Sequence, residues 1–297
     1  MSQETLKEKL LKAVMEDDRA TILDLHSMGF DLNTPVYLDQ TALARAVINR
    51  KVEAVETLLA TGTMNLESPA GKQSFALAAH YSSTAGVINA FIRAGANINT
   101  RFSNNETLLI KACAHANLPV VKELLKARAD VNAQDSVGRT ALFNASRLDD
   151  VKIVEELLRA GARASINAQT NQGTTALMEA ALYGNPSIVY RLVEAGANIQ
   201  IINSEQHTAL TYALRGDRQG SHQEVVDFLL ARGAIPRDVN IGMATKDGKT
   251  ALADTLRAVK AARDPAVGGA AFPRKSHRRR NRRRSTRRSF RRRQYFT

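Results

Sequence analysis

Gly138-Arg139-Thr140-Ala141-Leu142, followed by Val154, Leu157-Leu158 and Ala160-Gly161-Ala162, is the stretch from which the fold is read. Thr140 stands where a helix should begin, because its hydroxyl can accept from an orphan amide of the first turn. Val154, Leu157 and Leu158 are spaced by three and four residues, which is the period of a second helix burying one face. Gly161 then ends that helix, since a C-terminal cap needs a positive φ that glycine adopts without strain. Ahead of the stretch, Asp130-Val131-Asn132-Ala133-Gln134-Asp135-Ser136-Val137-Gly138 has the composition of a turn-forming connection. The unit is a helical hairpin with a polar turn. A lone hairpin cannot bury both faces, so neighbours must stack on it.

The neighbours are present in the sequence. Thr41, Ser74, Thr107 and Thr140 lie 33 residues apart, and Thr175, Thr208 and Thr250 follow at intervals of 35, 33 and 42. Five of these seven slots open a Thr-Ala-Leu triplet. A second ladder runs through Gly29, Gly62, Gly95, Gly161, Gly196 and Gly233, with Arg128 on the rung that lacks a glycine. A third, five residues past the Thr slot, is Ala13, Ala46, Ala79, Ala112, Ala145, Ala180 and Ala213, as expected where two helix axes come close. Breaks such as Asn49-Arg50-Lys51 and Gly184-Asn185-Pro186 divide the helices, and Val52, Val55, Leu58 and Leu59 or Val121, Leu124 and Leu125 supply the second apolar period. Self-similarity at this period means a stacked solenoid.

These residues, together with the Asn at 33, 99, 132 and 167, resemble the ankyrin repeat over roughly residues 5–262. The resemblance implies an all-α solenoid of helix–turn–helix units joined by β-turn connections. On this reading residues 1–33 are an amino-terminal capping repeat with Glu8 in the Thr slot. Residues 34–66, 67–99, 100–132, 133–167 and 168–200 are repeats, and 201–238 is a repeat with an insertion between its helices near Arg215–His222. Residues 239–263 form the carboxy-terminal capping repeat with a helix from Thr250, and 264–297 are a disordered Arg-rich tail. Two extra residues at Ala164-Ser165 and five after Gly233 lengthen connections. Two features depart from the family pattern: its proline after Thr is Ala here, and its usual His after Leu is replaced by Ala44, Leu77, Ile110, Phe143, Met178 and Thr211.

Composition narrows the function. Trp is absent and aromatics are 5%, so the core is built from Ala, Leu, Val and Ile. The single cysteine, Cys113, excludes an internal disulfide and reads as packing. The six His are scattered with no carboxylate or Cys at ligand spacing, no Gly-rich phosphate loop occurs, and no catalytic, cofactor or metal site is expected. No stretch approaches the roughly 20 apolar residues of a membrane span. The expectation is an intracellular, soluble monomer without a membrane contact.

Charge is segregated. Thirteen of the 42 Lys and Arg fall in 265–297, which holds no acid, leaving 29 bases against 29 acids before it. Arg278, Arg279, Arg280, Arg282, Arg283, Arg284, Arg287, Arg288, Arg291, Arg292 and Arg293 suit either nuclear import receptors or the phosphates of nucleic acid. So much like charge with few aliphatic residues predicts disorder in isolation.

In ankyrin-like stacks the resemblance implies that partners lie along the concave side, touching turn tips and first helices. Counting from the Thr slots, that surface carries Tyr37, Asn49, Tyr81, Ser103, His115, Arg139, Arg147 and Tyr183. Tyrosine and arginine dominate interface energetics, which points to a protein partner. Two readings therefore stand: a non-enzymatic interaction module whose tail directs it to the nucleus or to nucleic acid, or a sequence-independent DNA or RNA binder in which the repeats are only a scaffold.

Overall fold

The computed structural model describes residues 2–80, 85–216 and 221–263. Tyr81 and the tail arginines lie outside them, as does part of the insertion near Arg215–His222.

Where the Thr slot starts a helix, the hydroxyl does the capping. Thr41, Thr107, Thr140 and Thr175 accept from the amides of Ala44, Ile110, Phe143 and Met178 at 3.1–3.3 Å. Thr208 uses Thr211 instead, whose hydroxyl accepts the Thr208 amide at 3.1 Å. The helices so started are short: α3 (Ala42–Ile48), α7 (Leu108–Ala114), α9 (Ala141–Ala145), α11 (Ala176–Leu182) and α13 (Ala209–Arg215). Each turns back into a second helix: α4 (Val52–Ala60), α8 (Leu118–Lys126), α10 (Val151–Arg159), α12 (Pro186–Glu194) and α14 (Ser221–Ala231). The hairpins α1 (Gln3–Glu16) with α2 (Arg19–Ser27), α5 (Pro69–Ala78) with α6 (Ala85–Arg93), and α15 (Asp238–Lys246) with α16 (Thr250–Arg263) complete the stack.

First helices pack on first helices and second on second, in chain order. The alanine ladder lies in the first layer, and all seven members are buried. The second layer buries Leu25, Leu58, Leu124, Leu157, Leu192 and Leu229. The glycine ladder takes positive φ throughout, and Arg128 does so at 60° without being glycine, a conformation that costs an L-residue about 1 kcal/mol or more. The Asn column staples successive units. Asn99 and Asn167 accept the amides of Asp130 and Asn198 at 2.9 and 2.8 Å, Asn132 accepts from Ser165 Oγ at 2.6 Å, and Asn33 donates to the Thr63 carbonyl at 3.1 Å.

The connections project as fingers. One is a two-stranded hairpin, β1 (Pro35–Tyr37) with β2 (Gln40–Thr41). From there on the finger tips are tied across units: Ser136 N–H donates to Asn104, Asn171 to Val137 and Ser204 to Gln172, at 2.8–2.9 Å. Gly138 and Gly173 permit this approach. A Cβ on either would come within about 3 Å of the backbone of the next finger, at Thr170 and Asn203 respectively.

Three slots do not behave as the ladder predicts. Ser74 is not a cap: it is buried inside α5 and donates to the Ala70 carbonyl at 2.8 Å. The cap is Ser68, which accepts the Gly71 amide at 3.1 Å with Pro69 at the first helical position. Glu8 likewise sits in the interior of α1, which is capped by Ser2. Thr250 opens the second helix of the last hairpin. Its first helix is α15, so the connection after Gly233 is not lengthened but cut to residues 234–237. The two extra residues after Gly161 are taken up in a single 3-10 turn, Ala162–Ser165.

Candidate partner-binding face

The first-helix face is set by the short first helices, whose free side points away from the second layer, and by the fingers beside them. Counting from each capping Thr, the seventh and eighth residues come to this surface: Ile48 and Asn49, Ala114 and His115, Arg147 and Leu148, Leu182 and Tyr183. The same count brings the fourth residue there, a column that sequence reasoning overlooked: Arg45, Lys111, Glu179 and Tyr212, with Asn144 buried beneath it. The signal was available, since one helical turn separates the fourth residue from the seventh and eighth.

The structure joins two of the expected residues. Arg147 donates from Nη2 and Nε to the Tyr183 hydroxyl at 2.9 and 3.2 Å, and its guanidinium lies 5.5 Å from the centre of that ring. Glu179, one turn before Tyr183, approaches Arg147 Nε at 3.5 Å. Burial raises the Glu179 carboxyl above the usual carboxylate range, and the neighbouring Arg147 offsets this only in part. With Ala114, Asn144 and Leu148, the pair encloses a depression of about 310 Å³, enough for one side chain of a partner. Tyr183 remains 47% exposed.

His115 caps α7 and meets His80 of the preceding unit, Nε2 to Nδ1 at 3.3 Å. Burial, then the charges of His80 and Lys111, hold the His115 imidazole below its ordinary value, with Glu106 acting the other way. Sequence reasoning separated these two histidines because they lie in different repeats. Lys111 pairs with Glu106 at 2.6 Å, and Tyr37 lies under the Arg45 guanidinium at 4.7 Å. Ser103 is exposed at a finger tip.

Asn49 and Arg139 are placed differently from a free contact. Asn49 is half-buried and donates to the Arg45 carbonyl of its own helix at 2.8 Å. Arg139 donates from Nε to the buried Asp135 carboxylate at 2.7 Å and lies 3.8 Å from Glu106, so its guanidinium shapes the finger. Cations of this face are therefore largely matched by acids of the same face. The second-helix side has a larger valley, about 790 Å³, between α2, α4 and α6, bordered by Arg19, Glu56, Thr57 and Arg93. It lies far from this chemistry.

Cys113 is fully buried and burial alone pushes its thiol up. Among the described residues no group of three or more His, Cys, Asp or Glu is placed to hold a metal ion, and no helix is long and apolar enough to cross a membrane.

The family profile for "Ankyrin repeats (3 copies)" matches residues 75–169 and 160–241. The chain belongs to the ankyrin-repeat family. Among solved structures it is similar to the ankyrin repeat domain of Bcl-3, a unique member of the IkappaB protein family. The TM-score is 0.62 at 26% identity, over 75% of this chain and 97% of that one. No curated protein matches the chain. Ankyrin repeats are a protein–protein interaction module.

Proposed function

We propose that the protein is a non-enzymatic ankyrin interaction module. It holds a protein partner along its first helices and finger tips, and residues 264–297 direct the assembly to the nucleus, to nucleic acid or to both. The observation that carries the first half is the Arg147–Tyr183 pair at the rim of a depression sized for one side chain. Arginine and tyrosine at the centre of a surface, ringed by polar neighbours, are the types on which binding energy concentrates. Tyr37, Ser103 and His115 extend the same row, and Tyr81 belongs to it by register. Because cations on this face are matched by acids, partner binding is expected to depend weakly on salt. The second half rests on thirteen bases without an acid in 265–297, which supports nucleic-acid association that weakens steeply as salt rises.

The test compares the full chain, the chain ending at 264, and the double variant Arg147→Ala/Tyr183→Ala. Each is measured against captured protein partners and a mixed-sequence oligonucleotide at two salt concentrations. The reading requires that the truncated chain keep its protein partner and lose the oligonucleotide, and that the double variant do the reverse. The segregated charge favours one competing reading, in which the repeats only carry a nucleic-acid-binding tail. That reading prevails if the double variant changes nothing.

A further inference from the structure

The row of fingers stops one unit before the stack does. Each tie between tips is made to the same place in the preceding finger, the carbonyls of Asn104, Val137 and Gln172. The next carbonyl in that series is Glu205, 33 residues after Gln172. The last hairpin has no finger to reach it, because only residues 234–237 separate Gly233 from α15. Among the described residues no N–H donates to it.

A notch of about 640 Å³ opens where the missing finger would lie, lined among others by the acids Glu205 and Asp238, the bases Arg237, Lys260 and Arg263, and Ile235. Ile235 presents an apolar surface there, 41% exposed. The Arg237 guanidinium donates to Gln206 Oε1 at 3.2 Å, and that of Arg263 to the carbonyls of Ala234 and Leu230 at 2.8 and 3.0 Å. Among the described residues neither is neutralised by a carboxylate. Lys260 is matched by Asp238 at 2.6 Å, while the Glu205 carboxylate is held by His207 and Arg215 at 2.9 and 3.3 Å. The notch therefore combines a vacant backbone acceptor, an apolar floor and two uncompensated guanidinium groups.

We infer that this notch receives an acidic β-turn of a protein partner, at a place separate from the Arg147–Tyr183 row. A main-chain N–H of the turn takes the Glu205 carbonyl, an aliphatic side chain covers Ile235, and a carboxylate lies between Arg237 and Arg263. Charge decides the occupant: the chain's own residues 265–297, with thirteen bases and no acid, are repelled by the two guanidinium groups. The chemistry required is that of the protein's own β1–β2 turn, where Leu38 is 78% exposed beside Asp39.

That turn supplies the probe. A head-to-tail cyclised peptide of residues 34–41 is titrated into the full isotope-labelled chain and followed through backbone amide shifts. Shifts are expected at Glu205, Gln206, Ile235 and residues 237–239. Affinity should fall about tenfold or more when Asp39 of the peptide is replaced by Lys, or when the chain carries Arg237→Glu. Arg263→Glu and Ile235→Ala give the same loss should Arg237→Glu fail to fold, and Arg147→Ala leaves the affinity unchanged. The inference is overturned by shifts confined to the Arg147–Tyr183 row, by equal binding of the two peptides, or by no binding. It is equally overturned if deleting 265–297 moves the notch signals without peptide, or if those signals move with protein concentration alone. Those two results would give the notch to the tail or to a second copy.

Discussion

Arg147 and Tyr183, 36 residues apart, meet through two hydrogen bonds to one hydroxyl, across the boundary between two repeats. The contact is half-exposed and sits on a face whose backbone is already fixed by caps and ladders, so it adds little to folding. Arg147→Ala is expected to lower unfolding free energy by less than about 1 kcal/mol. The same substitution should weaken partner binding by about 1.4 kcal/mol or more, a tenfold effect. Urea denaturation beside a binding titration separates the two. A loss of stability as large as the loss of affinity would make the pair structural.

The alanine ladder predicts the opposite division. Ala145 is fully buried between first helices, and leucine there must displace a neighbouring helix, costing about 1–3 kcal/mol. Ala258, exposed on α16, accepts leucine with a change within about 0.5 kcal/mol. Chemical denaturation midpoints of the two variants check this, and equal midpoints would remove close helix approach as the reason for alanine at that slot.

Much of this architecture is legible in the sequence because the same physics recurs at fixed intervals. A hydroxyl caps each of α3, α7, α9 and α11, and a residue of positive φ follows each second helix from α2 to α14. Legibility failed where identical letters serve a different purpose. Ser74 occupies the slot, yet the Ser68-Pro69 cap starts α5 six residues earlier and buries Ser74 in the helix. Thr250-Ala251-Leu252 repeats the phrase, but Gly248 before it has the positive φ of the break inside a hairpin, as Gly184 does. On the first-helix face, counting seven and eight residues from the slot reaches Arg147 and Tyr183, which the structure joins. Glu179 was missed because its place there depends on a side chain reaching one turn along the surface. Arg139 was expected as a contact because composition does not reveal that Asp135 holds it.

The pH response follows from two groups with shifts of opposite consequence. The folded His115 imidazole is held below its ordinary value by burial, then by the charges of His80 and Lys111. The unfolded chain therefore takes up this proton first. Its stabilising contribution is complete above the unfolded value and is lost as pH falls through the folded one, on the acid side of the ordinary imidazole value. The folded Glu179 carboxyl is raised by burial, so its contribution is present below the ordinary carboxylate value and is lost as pH rises through the folded one. His115→Asn should thus flatten the loss of stability on acidification from neutral pH, while Glu179→Gln should leave that limb alone and raise stability at neutral pH. Thermal unfolding at pH 7.5 and pH 5.5 reads both, and an unchanged slope in the His115 variant would show that His115 does not titrate as its surroundings require.

The last hairpin gives a sharp test of which residues start its helices. Asn240 is fully buried; its Oδ1 accepts the Arg237 amide at 2.7 Å and its Nδ2 donates to Thr211 Oγ1 at 3.0 Å. It therefore caps α15 and fastens that helix to α13 with one side chain. Asn240→Ala leaves the part-buried Arg237 amide without its acceptor and takes from the Thr211 hydroxyl one of its partners, the Thr208 amide remaining, at a cost of about 1–3 kcal/mol. Thr250 is exposed, and no hydroxyl hydrogen bond ties it to the stack, so Thr250→Ala should change stability by less than about 0.5 kcal/mol. Were Thr250 the cap of a first helix, as the repeated triplet suggests, its substitution would instead cost about 1 kcal/mol. Hydrogen exchange of the α15 and α16 amides resolves the matter locally. The Asn240 variant should lose protection throughout both helices while protection in α9–α12 persists, because nearest-neighbour stacking confines the damage to the end of the array.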